Sequence, residues 1–217
     1  MNIKGAIFDL DGTLLDSMYV WDKVGTKYMA SQGIEVGEEF EQSIKDMSMS
    51  QCADYILSEY GVKTTAGEIR SCVNKIVEKM YFYDVMPKPG VPQLLEKLKS
   101  SGALMCVATA TDRHLAEAAL RRCGLLDYFS DIFTCTSVGA GKDSPLIYEK
   151  ALALLGTKKS ETPVFEDALY AIETAKAAGF TVAAVKDSFS LSKQTEIREL
   201  ADFYIEDYQD FLETQLN

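Results

Sequence analysis

The sequence has few of the residues on which several protein classes depend. It contains one histidine, His114, and five cysteines, which are widely spaced. Their number is odd and no two of them form a C-x-x-C pair. A cysteine-based metal site or a disulfide framework is therefore not predicted. The thiols are typical of small core side chains in a reducing cytosol.

Long apolar runs are also missing. No run approaches the roughly 18 apolar residues that a membrane span requires. The first segment, MNIKGAIFDLDG, contains acidic residues close to its start, which does not fit a signal peptide. We therefore expect a cytoplasmic chain without a membrane partner.

Positive charge is scarce as well. The 217 residues include 22 lysines and arginines against 33 acidic residues, a formal net charge of -11. An acidic surface of this kind argues against a polynucleotide partner. A small anionic ligand remains compatible with it, because a bound cation and a few lysines can reverse the sign of the charge locally.

What the chain does contain is an alternation of strand and helix patterns. Five short apolar segments end in polar or acidic residues and are typical of strands: IKGAIFDLD, ALMCVATAT, DIFTCTS, TPVFEDA and FTVAAVKD. Amphipathic stretches such as VPQLLEKLKSSG lie between them. Nearly continuous apolar strands are buried on both faces of a parallel sheet. The pattern predicts an α/β fold with a Rossmann-like, doubly wound parallel sheet and right-handed crossovers.

One segment breaks this alternation. Residues 17–84 contain amphipathic helix patterns, such as SQCADYILSEYG, without a convincing strand. We predict an all-helical cap here, inserted into an α/β catalytic core of residues 1–16 and 85–217. The return linker, DVMPKPGVP, holds proline and glycine and is predicted to lack regular structure.

Acidic and phosphate-compatible side chains follow the predicted strands. Ligands of open parallel sheets bind beyond the carboxyl ends of the strands, so the residues at these ends should converge. In chain order they are Asp9, Asp11, Thr109, Ala110, Thr111, Lys142, Glu166 and Asp167. Four carboxylates in one crevice repel one another, and a divalent cation relieves that repulsion. Oxygen ligands without histidine or cysteine favour Mg²⁺ over zinc.

This set of residues suits phosphoryl transfer, in which positioning and charge neutralisation supply most of the catalysis. Lys142 and the hydroxyl of Thr109 can hold phosphate oxygens. Asp9 and Asp11 are two residues apart, so in an extended chain both side chains can face one substrate. One carboxylate can attack phosphorus to form an aspartyl-phosphate, and the other can act as general acid and base.

Four motifs together resemble the haloacid dehalogenase superfamily: FDLDGTLLDS, VATAT, GAGKDSPLIYEKAL and VFEDALYAIETAKAAGF. The resemblance is to the branch with a helical cap after the first motif, which includes β-phosphoglucomutase and phosphoglycolate-phosphatase-like enzymes. It implies that Asp9 is the nucleophile and Asp11 the general acid and base. It also implies phosphate binding by Thr109, the Ala110 amide and Lys142. The implied metal site uses the Asp9 carboxylate, the Asp11 main-chain carbonyl and Asp167, with Glu166 as a further ligand or beside the ligands.

The chain departs from the mutases of this branch in the cap. The mutase motif K-G-x-S-R corresponds to KDMSM here, and Trp21 stands where the mutases have a histidine. We therefore predict a phosphatase that acts on a small phosphorylated metabolite, as a monomer. Lys45, Met47 and Met49 are candidates for substrate contact. A sugar-phosphate mutase, and a metabolite-binding module whose chemistry has lapsed, are the alternatives.

Overall fold

The computed structural model describes residues 2–44 and 49–216. Its internal contacts divide the chain into two compact units. One comprises Met1–Asp16 together with Val85–Asn217, and the other comprises Ser17–Asp84. Within the described residues, no helix is both long enough and apolar enough to cross a membrane.

In the unit Ser17–Asp84, the regular structure of residues 17–44 and 49–84 is helical. The helices described there are α1 (Met18–Ser31), α2 (Glu38–Ile44), α3 (Met49–Tyr60) and α4 (Ala66–Tyr83). Apolar side chains at helical spacing, such as Val20 and Val24 on α1 and Val73 and Val77 on α4, are buried. The start of α4 is fixed by a capping box, in which Thr65 Oγ1 accepts from the Glu68 amide at 3.2 Å and Glu68 accepts from the Thr65 amide at 2.9 Å.

The other unit is built on a six-stranded parallel sheet, as the apolar runs predict. The strands are β1 (Gly5–Phe8), β4 (Leu104–Thr109), β5 (Asp131–Thr134), β6 (Val164–Glu166), β7 (Val182–Val185) and β8 (Phe203–Ile205). Their order in the sheet is β5-β4-β1-β6-β7-β8, and every neighbouring pair is parallel. Strand β1 lies in the centre of the sheet and is buried along its whole length, because helices cover both faces.

Helices alternate with these strands. They are α5 (Val91–Ser100), α6 (Arg113–Arg122), α7 (Cys135–Val138), α8 (Leu146–Leu155), α9 (Leu169–Ala177), α10 (Gln194–Leu200) and α11 (Tyr208–Gln215). Ile147 and Ala151 on α8, Ile172 on α9 and Ile197 on α10 pack with apolar side chains of the sheet in one buried cluster. The predicted α/β fold with a doubly wound parallel sheet is confirmed.

The return linker is more regular than the sequence predicts. Two short segments of the sheet-containing unit, β2 (Leu15–Asp16) and β3 (Met86–Pro87), form an antiparallel pair. The Lys88 amide continues this pairing by donating to the Leu14 carbonyl at 2.9 Å. Proline is tolerated in β3 because the pair has free edges, where a missing amide donor costs little.

Candidate active site

The centre of the site is a set of three buried carboxylates at the carboxyl ends of β1 and β6. Asp9 follows β1, Glu166 ends β6 and Asp167 follows it. The two strands are in register, and the Asp9 amide donates to the Phe165 carbonyl at 2.9 Å. As a result, Asp9, Glu166 and Asp167 each offer a carboxylate oxygen within 4.8 Å of the other two.

Lys142 lies between two of these acids. Its Nζ donates to Asp9 Oδ1, and it donates to Glu166 Oε1 at 2.5 Å. The side chain is almost completely buried. Lys142 reaches this position from the loop that begins at Gly139, where a left-handed backbone ends α7. The structure brings Lys142, a residue the sequence predicts for the site, beside the clustered acids, and its ion pairs with Asp9 and Glu166 depend on the packing of that loop.

Asp11 has a different partner from Asp9. Its Oδ2 accepts a hydrogen bond of 2.6 Å from Thr111 Oγ1, at the end of the neighbouring strand. The Thr111 amide in turn donates to Thr109 Oγ1 at 3.0 Å. Thr109 is buried at the end of β4, and Ala110 beside it is exposed. The structure thus brings the two aspartates to one edge of the sheet with distinct surroundings.

The turn after Asp11 lies directly against Asp167. Gly12 has a φ of +78°, and a Cβ at this residue would lie 2.5 Å from Asp167 Oδ2. Glycine is therefore required both by the left-handed backbone and by the close approach. Thr13 Oγ1 donates to Asp167 Oδ1 at 3.1 Å, so the same turn also orients that carboxylate.

The electrostatics of the site are dominated by burial and by an excess of acid. Burial raises the pKa of Asp9 to about 8, with the Lys142 ammonium opposing the rise and Glu166 and Asp11 adding to it. Burial also raises the pKa of Asp167, and the neighbouring charges of Glu166 and Asp9 raise it further. Burial disfavours the charge of Lys142, but the carboxylates of Asp9 and Glu166 outweigh that effect and raise its pKa.

One lysine cannot neutralise three clustered carboxylates, so the site has the charge to hold a cation. The acidic cluster offers oxygen donors alone, which is the ligand set that Mg²⁺ prefers. Glu166 differs from the other two acids in that both of its oxygens already accept hydrogen bonds. The residues present fit a magnesium site centred on Asp9 and Asp167.

The predicted substrate contacts of the helical unit lie at or beyond the edge of the described residues. Lys45 and Met47 lie outside the described residues, and Met49 opens α3 with a side chain that also lies outside the described part. Trp21, which replaces the histidine of the mutases, lies on α1 with 40% of its surface exposed. Its indole makes an edge contact with Tyr81 at 6.5 Å between ring centroids.

Three side chains of the site were not assigned a role from the sequence. Thr13 belongs to the first motif and Thr111 to the second, and their hydroxyls orient Asp167 and Asp11. Tyr148, on α8, donates to Glu166 Oε1 at 3.2 Å. The sequence already places Thr111 among the residues that follow the second strand, and only its hydrogen bond to Asp11, which depends on the turn after β4, was not predicted.

Comparison with known proteins agrees with this arrangement. A model of the family described as haloacid dehalogenase-like hydrolase matches residues 6–185. The chain belongs to this family. The match confirms the resemblance of the four motifs, and it spans both the acidic cluster and the helical unit.

Relatives within the haloacid dehalogenase-like family include phosphatases and a mutase. The chain is 27% identical over 177 residues to a phosphorylated carbohydrates phosphatase of Thermotoga maritima, covering 82% of each chain. It is 26% identical over 215 residues to β-phosphoglucomutase of Bacillus subtilis, covering 94% of this chain and 93% of the other. The family match and the phosphatase relative confirm the predicted enzyme class, a phosphatase of the haloacid dehalogenase type.

A solved structure shows the same fold over the whole length. A Thermotoga maritima protein described as a candidate β-phosphoglucomutase superposes with a TM-score of 0.86 at 25% identity. The match covers 98% of this chain and all of the other. The sheet core with its helical insertion is therefore shared with this protein.

Proposed function

We propose that this protein is a Mg²⁺-dependent phosphomonoester hydrolase that acts on a small phosphorylated metabolite through an aspartyl-phosphate intermediate. The observation that carries the proposal is that Asp9 and Asp11 have different hydrogen-bond partners. Asp9 lies in the acidic cluster with Lys142, whereas Asp11 accepts from Thr111. Two carboxylates two residues apart with such different partners suit two different roles, nucleophile and proton carrier.

The metal would be held by the carboxylates of Asp9 and Asp167 and, as in the family, by the main-chain carbonyl of Asp11. When bound, Mg²⁺ would neutralise negative charge on the phosphate oxygens and on the two carboxylates. This arrangement leaves the Asp11 carboxyl free of the metal. Its hydrogen bond to Thr111 Oγ1 would fix it on the side of the leaving group.

In the proposed reaction, three side chains carry out the two chemical steps. Asp9 attacks phosphorus, a bond from its carboxylate oxygen forms, the bond to the leaving oxygen breaks, and Asp11 donates a proton to that oxygen. Asp11 then takes a proton from a water molecule, whose oxygen attacks phosphorus. The bond between phosphorus and the Asp9 oxygen breaks, which restores the carboxylate and releases phosphate. Lys142 would bind a phosphate oxygen through both steps.

Phosphorylated carbohydrates are the substrate class that the relatives favour. One phosphatase relative is named for these substrates, and another acts on N-acetylmuramic acid 6-phosphate. We propose a sugar phosphate or related small phosphate for this chain, with the unit Ser17–Asp84 as the cap that selects it. The match to a β-phosphoglucomutase over 94% of the chain keeps the mutase as the second candidate. Trp21 argues against the mutase, because the resemblance places a histidine at this position in the mutases and an indole is neither an acid nor a base near neutral pH.

The proposal is tested by a screen for phosphate release. Purified protein with Mg²⁺ is incubated with hexose phosphates, phosphoglycolate and nucleoside monophosphates, and inorganic phosphate is measured together with phosphorus NMR of the organic products. We expect Mg²⁺-dependent release of phosphate from at least one sugar phosphate. Interconversion of β-glucose 1-phosphate and glucose 6-phosphate with little release would identify a mutase instead. Binding without turnover would identify a lapsed module.

The acidic cluster also predicts how stability depends on pH. The folded pKa of Asp9 is about 8 against an ordinary 3.8, so the native protein retains a proton that the unfolded chain releases. The stabilising contribution is complete below the ordinary pKa and is lost as the pH rises through the folded pKa. Without metal, we expect the melting temperature to fall between about pH 5 and pH 8. Over this range, the titration of Asp9 should lower the free energy of unfolding by at most about 1.4 kcal/mol per pH unit.

The measurement is a series of thermal melts in EDTA and in excess Mg²⁺ across this pH range. Added Mg²⁺ should stabilise the protein more at the alkaline end, since it competes with the proton for the same carboxylates. The Asp9→Asn variant should show a flatter profile in EDTA than the wild type, because its amide does not titrate. Identical slopes for the variant and the wild type would contradict the assignment.

A further inference from the structure

Tyr148 is a buried polar side chain that contacts the acidic cluster from helix α8. It lies on α8 and is fully buried, with its ring in a tilted contact with Phe180 at 6.1 Å between centroids. Its hydroxyl donates to Glu166 Oε1 at 3.2 Å. Packing alone would be satisfied by phenylalanine, so the hydroxyl requires a separate explanation.

The carboxylate that Tyr148 contacts is fully engaged. Glu166 Oε2 accepts from the amides of Asp167 at 2.9 Å and Ala168 at 3.1 Å. Oε1 accepts from Lys142 at 2.5 Å and from Tyr148. A carboxylate held by four donors has a fixed orientation. Glu166 therefore acts in this structure as an anchor for Lys142 and for the backbone after β6.

The position of Lys142 follows from that anchor. Its ammonium group lies between Asp9 and Glu166, and a lysine has three rotatable donors on a flexible stem. If the Glu166 carboxylate rotates, the ammonium can move with it toward or away from Asp9. The Tyr148 hydroxyl opposes such rotation, because it holds the oxygen that Lys142 also contacts.

We propose that Tyr148 is a positioning residue for phosphate binding, which acts through Glu166 to fix the Lys142 ammonium beside the Asp9 nucleophile. The inference rests on the proposed function, in which Lys142 binds a phosphate oxygen. It extends the set of working residues from the strand ends to a buried side chain of α8. Because Tyr148 reaches the substrate only through Glu166 and Lys142, its loss affects phosphate binding and leaves the metal site intact.

The test is the Tyr148→Phe variant, which keeps the ring and removes the hydroxyl. A hydrogen bond to a charged group corresponds to roughly a tenfold or larger change in an equilibrium constant. We expect kcat/KM for a phosphomonoester to fall about tenfold and the inhibition constant of inorganic phosphate to rise by a similar factor. The Mg²⁺ concentration that gives half-maximal thermal stabilisation should stay unchanged, which a general structural defect would not allow.

The matched control is Tyr128→Phe. Tyr128 also donates to a glutamate, Glu96 Oε2 at 2.8 Å, but on the exposed side of α5. This variant should retain wild-type kcat/KM and phosphate inhibition. A double-mutant cycle with Glu166→Gln tests separately whether the two residues act together. The effects of Tyr148→Phe and Glu166→Gln should be clearly less than additive if Tyr148 acts through Glu166.

The inference is overturned if Tyr148→Phe stays within twofold of the wild type in both kcat/KM and phosphate inhibition, or if the two substitutions are additive. A failure of the proposed function has a different signature, because the wild type itself would then release no phosphate from any compound tested. In that case, calorimetric binding of inorganic phosphate to wild type and Tyr148→Phe decides the inference. Equal dissociation constants would refute it, and a weaker one for the variant would support it.

Discussion

Asp9→Asn is expected to abolish phosphate release, with kcat reduced by roughly 10⁴-fold or more, the range seen when a catalytic nucleophile is removed. The amide that replaces the carboxylate has nearly the same shape, so the site keeps its geometry but loses the attacking oxygen. The measurement is phosphate release under saturating Mg²⁺ with a substrate identified in the screen.

Two observations separate this loss from a loss of fold. The metal-free Asp9→Asn protein should melt at a higher temperature than the wild type near neutral pH, because a buried acid with a raised pKa has been replaced by a neutral group. The exposed Asp127, on the turn before β5, provides the matched control. Asp127→Asn should keep wild-type kcat. Turnover by Asp9→Asn within tenfold of the wild type would rule out Asp9 as the nucleophile.

Lys142→Met is expected to lower kcat/KM by about 10²–10³-fold, the effect of removing one charged group that stabilises the transferring phosphoryl group. Methionine retains the length and the apolar stem but not the ammonium. The substitution also leaves Asp9 and Glu166 without their shared partner. Removing one partner of a buried ion pair lowers the free energy of unfolding by roughly 3–5 kcal/mol. The metal-free variant should therefore also melt at a lower temperature than the wild type.

The control for Lys142→Met is Lys150→Met, on α8. Lys150 donates to the Val138 carbonyl at 3.5 Å and has an exposed side chain. We expect this variant to keep kcat/KM. Excess Mg²⁺ should recover most of the stability that Lys142→Met loses, because the cation replaces part of the missing positive charge. Recovery of stability without recovery of kcat/KM would support the phosphate role, whereas kcat/KM within tenfold of the wild type would contradict it.

The convergence of Asp9, Glu166 and Asp167 could be predicted from sequence because it follows from topology. Parallel strands with short apolar cores all end at the same edge of the sheet, and residues just after them must meet there. The central position of β1 between β4 and β6 then brings Asp9 beside Asp167. Periodicity alone was sufficient for this part of the argument, without knowledge of any side-chain contact.

The contacts that orient these residues could not be predicted in the same way. Tyr148 looks like an ordinary core position of an amphipathic helix, and only the packing of α8 on the sheet brings its hydroxyl to Glu166. The Tyr208 hydroxyl donates to the Thr13 carbonyl at 3.0 Å across 195 residues of sequence, which no local pattern encodes. The pairing of β2 with β3 likewise depends on a partner about 70 residues away in the chain.

The choice between two neighbouring hydroxyls illustrates the same limit. The sequence assigned the phosphate role to Thr109, which ends the strand. In the structure Thr109 Oγ1 accepts from the Thr111 amide, and the hydroxyl of Thr111 reaches Asp11. Which threonine faces which partner depends on the turn after β4, and that turn is set by tertiary contacts.

The claim that Asp9 carries the phosphoryl group is tested most directly by trapping the intermediate. Asp11→Asn protein is mixed with Mg²⁺ and an aryl phosphate, whose leaving group needs no general acid, and is then quenched in acid and analysed by peptide mass spectrometry. The account predicts that the peptide containing Asp9 gains the mass of one phosphoryl group, because the base that activates water is missing. An unmodified peptide, from a variant that still hydrolyses the aryl phosphate, would contradict the account.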